Sequence, residues 1–185
     1  MAESGFAAPG EAIAAGETLR IAPPRPNRLQ RFAQRLAAAR PLAWLAARIL
    51  HRLDKAHLRA SGESRPLAEY LVGVPVIMLT TTGAKSGLPR TMPLLALPAD
   101  ERIIIFGTNF GQGHHPAWVH NLRANPRATV TYRGQSAPYV ARDATEEERA
   151  WAMQSARRVY VVAATYLRRA SAREVPVIVL EPQRD

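Results

Sequence analysis

Apolar positions along this chain follow two rhythms in succession. Between residues 27 and 60 they recur at helical spacing: Leu29, Phe32, Ala33, Leu36 and Ala37, then Leu42, Leu45, Ala46, Ile49, Leu50 and Leu53. This i, i+3, i+4, i+7 pattern predicts an amphipathic helix. Asn27 stands where an N-cap belongs, Pro41 predicts a kink or a second helix starting there, and Ser61-Gly62 ends the segment. After residue 70 the pattern changes to short strands. Residues 74–81 are apolar on both faces, as in a buried strand. A strand over 91–97 follows, and another over 102–108 comes after a Pro98-Ala99-Asp100 turn. Ala128, Val130 and Tyr132 alternate with Thr129, Thr131 and Arg133, which predicts a half-buried strand. Gly134 turns the chain into a strand over 136–141, and 175–180 is the last. Pro75, Pro93, Pro138 and Pro176 suit strand starts, edges or bulges and not central ladders. Two helices interrupt the strands. One has Pro116 in its first turn and ends at Asn125-Pro126; the other opens on a capping box from Thr145 to Glu148 and runs through residue 157.

Six strands with inserted helices predict an α+β fold built on a small, mostly antiparallel barrel. A doubly wound sheet is disfavoured, because the connections at 98–101 and 133–135 are too short for crossovers. Residues 1–26 show no apolar period, are rich in Ala, Gly, Pro and Glu, and close on Pro23, Pro24 and Pro26. They read as a disordered tail. The chain thus divides into that tail, an amphipathic helical extension over 27–65, and a barrel domain over 66–185. The extension carries Arg48, Arg52, Lys55 and Arg59 on a second face, together with Trp44. Such a helix either covers the barrel with its arginines in water or lies on an anionic membrane surface.

Composition narrows the chemistry. At 185 residues with 47% hydrophobic and 22% charged residues, the chain can build one globular domain with a real core. It has no Cys, which excludes disulfides, thiolate catalysis and Cys-ligated metal centres. The net charge is +10, nearly all from Arg, because Lys55 and Lys85 are the only lysines. A basic chain points to an anionic partner: nucleic acid, acidic lipid or a phosphorylated cofactor. The basic residues are spread out and form no recognition motif, so nucleic acid is not expected. No apolar run reaches the ~20 residues of a membrane span. Glu3 and Glu11 stand where a secretory signal would need a basic region and then an apolar one. The expected location is cytoplasmic, with residues 27–60 as the one candidate for peripheral membrane contact.

Three constellations carry candidate chemistry. In the stretch 80–90, Gly83 and Gly87 bracket Lys85-Ser86 between two strands, and Arg90 opens the second strand. Glycines let backbone amides turn toward an anion, and Lys, Ser and Arg add donors suited to phosphate. Lys85 does not follow a glycine and a strand follows the loop, so this is not a Walker loop; the plainer alternative is a polar hairpin turn. In the stretch 107–121, a strand ends in a Gly-rich loop that leads into a helix N-terminus, a geometry that suits a ligand lying against free amides and an aromatic wall. His115 and His120 are five apart and expected on different helix faces, with no carboxylate nearby, so no metal is expected. Trp118 suits either the site or the core. Third, Tyr160 and Tyr166 can wall a site for a flat ring and donate a hydroxyl, or simply pack a helix. No nucleophile elbow, carboxylate pair or Ser-His-Asp order is present, which leaves direct hydrolysis without support.

Taken together and in this order, the motifs resemble the deazaflavin-dependent nitroreductases, a family that includes quinone reductases. The likeness is carried by Leu79-Thr80-Thr81-Thr82-Gly83 with Lys85-Ser86-Gly87 and Pro89-Arg90-Thr91; by His115-Pro116-Ala117-Trp118 with His120-Asn121-Leu122 and Asn125-Pro126; and by Arg173-Glu174-Val175-Pro176-Val177. It covers about residues 66–182. The resemblance implies a split β-barrel that binds coenzyme F-420, a deazaflavin with a phosphate and a glutamate tail, and passes its hydride to a small planar acceptor, a quinone or a nitroaromatic. FMN on the same barrel type is the alternative cofactor, and a non-catalytic F-420 carrier the alternative role. Carried over by position, Lys85, Ser86, Gly87, Arg90, Thr91 and Pro93 would hold the phosphate and linker. Thr108, Asn109, Gly111, Pro116, Ala117 and Trp118 would line the ring pocket, and Tyr160 and Tyr166 would form the catalytic substrate wall. Ala84 stands where an Arg is common, Asn109-Phe110 where Lys-Gly is common, and Leu95 and Ala163 where some members carry Tyr. Assembly is left open between monomer and dimer.

Overall fold

The computed structural model describes residues 11–12, 18–22, 25–37, 69, 73–109, 112–160 and 174–184. In chain order the elements are β1 (Glu11–Ala12), α1 (Arg28–Ala37), β2 (Val76–Thr82), β3 (Pro89–Leu95), β4 (Leu97–Ala99), β5 (Arg102–Phe106), α2 (Ala117–Ala124), β6 (Arg127–Tyr132), β7 (Gln135–Asp143), α3 (Glu146–Val159) and β8 (Val177–Pro182). Seven strands form one sheet in the order β3-β2-β6-β7-β8-β5-β4, and β1 pairs with the start of β7. All pairings along that order are antiparallel, and only the short β1 contact is parallel. The fold is the expected α+β one: a curled antiparallel sheet with a few helices.

The curl has a definite cause. β3 and β4 stand at opposite ends of the strand order, yet Ala96 alone separates them in sequence. One continuous stretch therefore borders both edges, and the sheet rolls up around it. Ala96 itself is buried and belongs to neither ladder. Its N–H donates to Pro75 O at 3.0 Å, and its carbonyl accepts the Tyr160 hydroxyl at 2.9 Å. The strand expected over 91–97 is thus two strands divided at this residue. The turn expected at 98–100 falls later, because Pro98 and Ala99 pair with Ile103 and Arg102; Asp100 takes the positive φ of +54° that the tight loop needs.

Side chains two apart share a face of a strand, and here one face fills the barrel. Ile77 and Leu79, Ile103 and Ile105, Val130 and Tyr132, Ala137 and Tyr139, and Ile178 and Leu180 all lie in this core, and Trp118, Val119 and Leu122 of α2 join it. On the opposite face, Leu97, Ile104, Val177 and Val179 pack beneath Ala152 and Met153 of α3. Strands β5 and β8 are buried on both sides, which is why they read as unbroken apolar runs. The β6–β7 hairpin turns on Arg133-Gly134 with φ of +49° and +81°, the two positive values of a type I′ turn. The capping box on α3 is formed as expected: Thr145 Oγ1 accepts the Glu148 N–H at 3.2 Å, and Glu148 Oε2 accepts the Thr145 N–H at 2.9 Å.

Three features differ from the sequence reading. Pro138 lies in β7, a central strand, opposite Thr129. Its carbonyl accepts Gln183 N–H one step beyond the end of β8, so its missing N–H falls where that ladder has stopped. Within the stretch expected as a disordered tail, Glu11–Ala12 pair with Gln135 and Ser136, and Leu19 is buried in the barrel core. In the predicted amphipathic helix, the described part α1 is capped by Asn27, whose Oδ1 accepts the Gln30 N–H at 2.8 Å. Its apolar stripe, however, starts in solvent: Leu29 is 74% and Phe32 56% exposed, whereas Gln34 is buried. Residues 38–60, with Trp44, lie outside the described residues.

Candidate functional site

The loop between β2 and β3 is a closed turn. Gly83 N–H donates to Leu88 O at 2.9 Å, and Gly87 N–H donates back to Gly83 O at 2.8 Å. Gly87 has φ of +67°, a conformation that costs glycine little. Gly83 is required for a different reason. A Cβ there would lie 2.6 Å from Ser86 Oγ, 3.2 Å from Leu88 O and 3.6 Å from Arg90 Cγ. The bare backbone of Gly83 thus forms the floor on which the Ser86 hydroxyl and the Arg90 side chain converge. Lys85, Ser86, Gly87 and Arg90 are all exposed. Thr91 follows on β3, with its hydroxyl 2.7 Å from that of Thr80, and Pro93 pairs with Met78 on the β3 edge. Exposed Lys85, Ser86 and Arg90 on or beside one tight turn make a donor set suited to a phosphate.

The second constellation meets the first through α2. Asn121 is 7% exposed, three residues after Trp118 and next to Leu122, so it shares the buried face of that helix. Its Oδ1 accepts the Ala84 N–H at 3.0 Å, and its Nδ2 donates to Thr81 Oγ1 at 3.0 Å. Residues 40 apart in sequence are thereby locked together. Sequence reasoning gave Asn121 no role. The available signal was a lone amide on the apolar face of a short helix, a group that must find partners when buried.

Around this junction, Asn109 has φ of +46° and its Nδ2 donates to His114 O at 3.2 Å, which shapes the turn after β5. Gly107 is pinched between Pro176 and Val119: a Cβ there would meet Pro176 Cδ at 3.1 Å and Val119 Cγ2 at 3.2 Å. Pro116 sits at the N-cap of α2, one step before the first turn where it was expected, and no side chain caps the helix. Its first amides thus point past the helix end. Ala117 is exposed, Pro116 and Thr108 are half-buried, and Trp118 lies in the core cluster with the barrel residues. The expected separation of His115 and His120 does not hold. His115 precedes the helix, and the two rings lie 6.1 Å apart, tilted by 58°.

The third constellation is placed apart from an open wall. Tyr160 is 6% exposed, packs with Val74 and Ala156, and gives its hydroxyl to Ala96 O. Burial pushes that phenol well above its ordinary pKa, so it stays protonated and bonded. This arrangement is the packing alternative, and it leaves the hydroxyl engaged with backbone. Gly111 and Tyr166, with Phe110 and Ala163, lie outside the described residues; Leu95 is described and exposed. Among the described residues no group of three or more His, Asp or Glu side chains is arranged to hold a metal ion, and no helix is long and apolar enough to cross a membrane.

The family model for F420H(2)-dependent quinone reductases matches residues 50–182. An F420H(2)-dependent quinone reductase of Mycobacterium tuberculosis (strain H37Rv) is 38% identical over 56 residues, 30% of this chain. The matched stretch spans 38% of that relative's length. Among solved structures, an F420-H2 dependent reductase, FDR-A, is 32% identical with a TM-score of 0.53, covering 58% of this chain and 94% of that one. A second structure, described as a domain-swapped dimer, is 27% identical with a TM-score of 0.55, covering 76% of this chain and 99% of that one.

Proposed function

Since this chain belongs to the F420H(2)-dependent quinone reductase family, we propose that it binds reduced coenzyme F-420 across the β2–β3 loop and the start of α2, and reduces a quinone there. The observation that carries this reading is the convergence of Ser86 and Arg90 over Gly83, in a loop bonded directly to α2. When bound, the deazaflavin supplies a hydride; the residues of this chain bind, orient and shield. Lys85, Ser86 and Arg90 hold the phosphate, with Gly87 giving the turn and Thr91 and Pro93 lining the linker. Thr108, Asn109, Gly111, Pro116 and Ala117 border the ring, and Trp118 supports that border from the core. Holding donor and acceptor faces together replaces a bimolecular encounter with an oriented one. Tyr160 serves by fixing the β3–β4 junction and not by touching the acceptor, so a hydroxyl toward the acceptor is left to Tyr166. The surplus of arginine suits an acidic tail on the cofactor.

Fluorescence titration of the purified protein with F-420, in parallel with FMN, tests the reading. Tight F-420 binding is expected. Lys85→Ala and Arg90→Ala should each weaken it by about 10- to 100-fold, the loss of one charge-assisted hydrogen bond. Oxidation of reduced F-420 should then depend on added quinone. A folded protein that ignores F-420 sinks the proposal, and preferential FMN binding would turn it into an FMN enzyme on the same barrel.

A further inference from the structure

We propose that Asn121 is a positioning residue for the β2–β3 loop, holding its donors in place before any ligand arrives. The inference rests on the reading above that this loop takes the cofactor's phosphate. A buried primary amide is costly unless its ends are bonded, and both ends of Asn121 are spent on the loop and its base. Oδ1 takes the Ala84 N–H, next to Lys85. Nδ2 donates to the hydroxyl of Thr81, itself buried, and that hydroxyl lies 3.5 Å from Arg90 O across the β2–β3 pair. One side chain therefore grips the start of the loop and, more weakly through Thr81, the strand that carries Arg90.

The loop has its own internal bonds, Gly83 to Leu88, Gly87 to Gly83 and, at 3.4 Å, Leu88 to the Ser86 hydroxyl, and the β2–β3 ladder holds its two ends. Residues 84–90 are exposed along their length and lend little packing. Asn121 adds the tie from the middle of this turn to α2. It also fixes the span between the loop and α2, and hence between phosphate site and ring border. Such preorganisation raises affinity by removing ordering cost from the binding step.

The chain holds two lysines, Lys55 and Lys85, so the lysine-specific endoproteinase Lys-C reports on this loop selectively. The full chain, without cofactor, is digested at low urea concentrations and cleavage after Lys85 is timed. Asn121→Leu should speed that cleavage by about tenfold, as for the loss of about one buried hydrogen-bonded link. The increase should be nearly independent of urea, the mark of local opening and not of global unfolding. Asn121→Asp keeps an acceptor for Ala84 and should speed it less. A wild-type rate in Asn121→Leu, or an increase that tracks global unfolding, overturns the proposal. Should Asn121→Leu not fold, Thr81→Val removes the hydroxyl that orients the amide, and faster cleavage is again required. F-420 titration then separates the two layers. A loosened loop with about tenfold weaker binding supports both. A loosened loop with unaltered binding overturns the positioning role alone, because the phosphate reading is decided separately by Lys85→Ala and Arg90→Ala.

Discussion

Ala96 carries more of the architecture than its size suggests. It is the one residue between two strands at opposite sheet edges, and both of its backbone groups find partners outside the ladders, Pro75 and Tyr160. Removing the phenol oxygen strands a buried carbonyl, which costs about 1–3 kcal/mol. Tyr160→Phe should therefore lower stability by about that amount in urea unfolding, while the KM for F-420 changes little. A large rise in KM with unchanged stability would return Tyr160 to the ligand wall. The sequence showed Tyr160 as a candidate but not its target, because Ala96 sits unmarked within an apolar run and bears no turn residue. Asn121 was hidden for a related reason: its partners, Thr81 and Ala84, lie far away in sequence, and no local period announces such a bond.

At the level of elements, α3 is fastened at its first turn by a charge network. Arg142 of β7 makes a two-pronged bond to Glu148 at 2.6 and 2.7 Å and also bonds Glu181 of β8, while Arg102 of β5 reaches Glu148 at 2.9 Å. The side-chain bonds from Arg142 hold the Glu148 carboxyl down at about 2, and the same contacts raise the Arg142 guanidinium. A carboxyl depressed in the folded state stabilises it above the unfolded pKa of about 4.3, and that contribution fades as pH falls through about 2. Acid unfolding between those values should be steeper in the wild type than in Glu148→Gln, which keeps the capping geometry and removes the charge. Equal slopes would exclude the network from acid stability. Elements of this kind were largely legible. Short apolar runs, and at 128–133 a period-two alternation, located the strands to within a few residues, and Thr145 with Glu148 marked the start of α3. Strand ends were less so, as with Pro98 and Ala99, because hairpin pairing overrides a local turn signal. Pro138 shows the same limit: whether a proline is tolerated depends on where the neighbouring strand stops.

For the whole molecule, the stretch before α1 is part of the barrel. Leu19 is buried among Ile77, Tyr139 and the other core side chains, and Ile21 packs against them. Leu19→Ala should cost about 2–5 kcal/mol, read from the urea midpoint; a neutral result would make the segment dispensable. One buried Leu within a run of Ala, Gly and Pro leaves no periodic trace, so composition pointed the other way. The strand order also sets a schedule for synthesis. β8 lies between β7 and β5, and among the described strands it is the last to leave the ribosome. Until it does, β2, β3, β6 and β7 can zip on one side and β4 with β5 on the other, joined through Ala96 but sharing no ladder. The nascent chain must therefore carry two half-built sheets with open edges, and an apolar interior still open to water. A chaperone dependence that disappears once residue 182 has emerged is the cellular signature such a topology should leave.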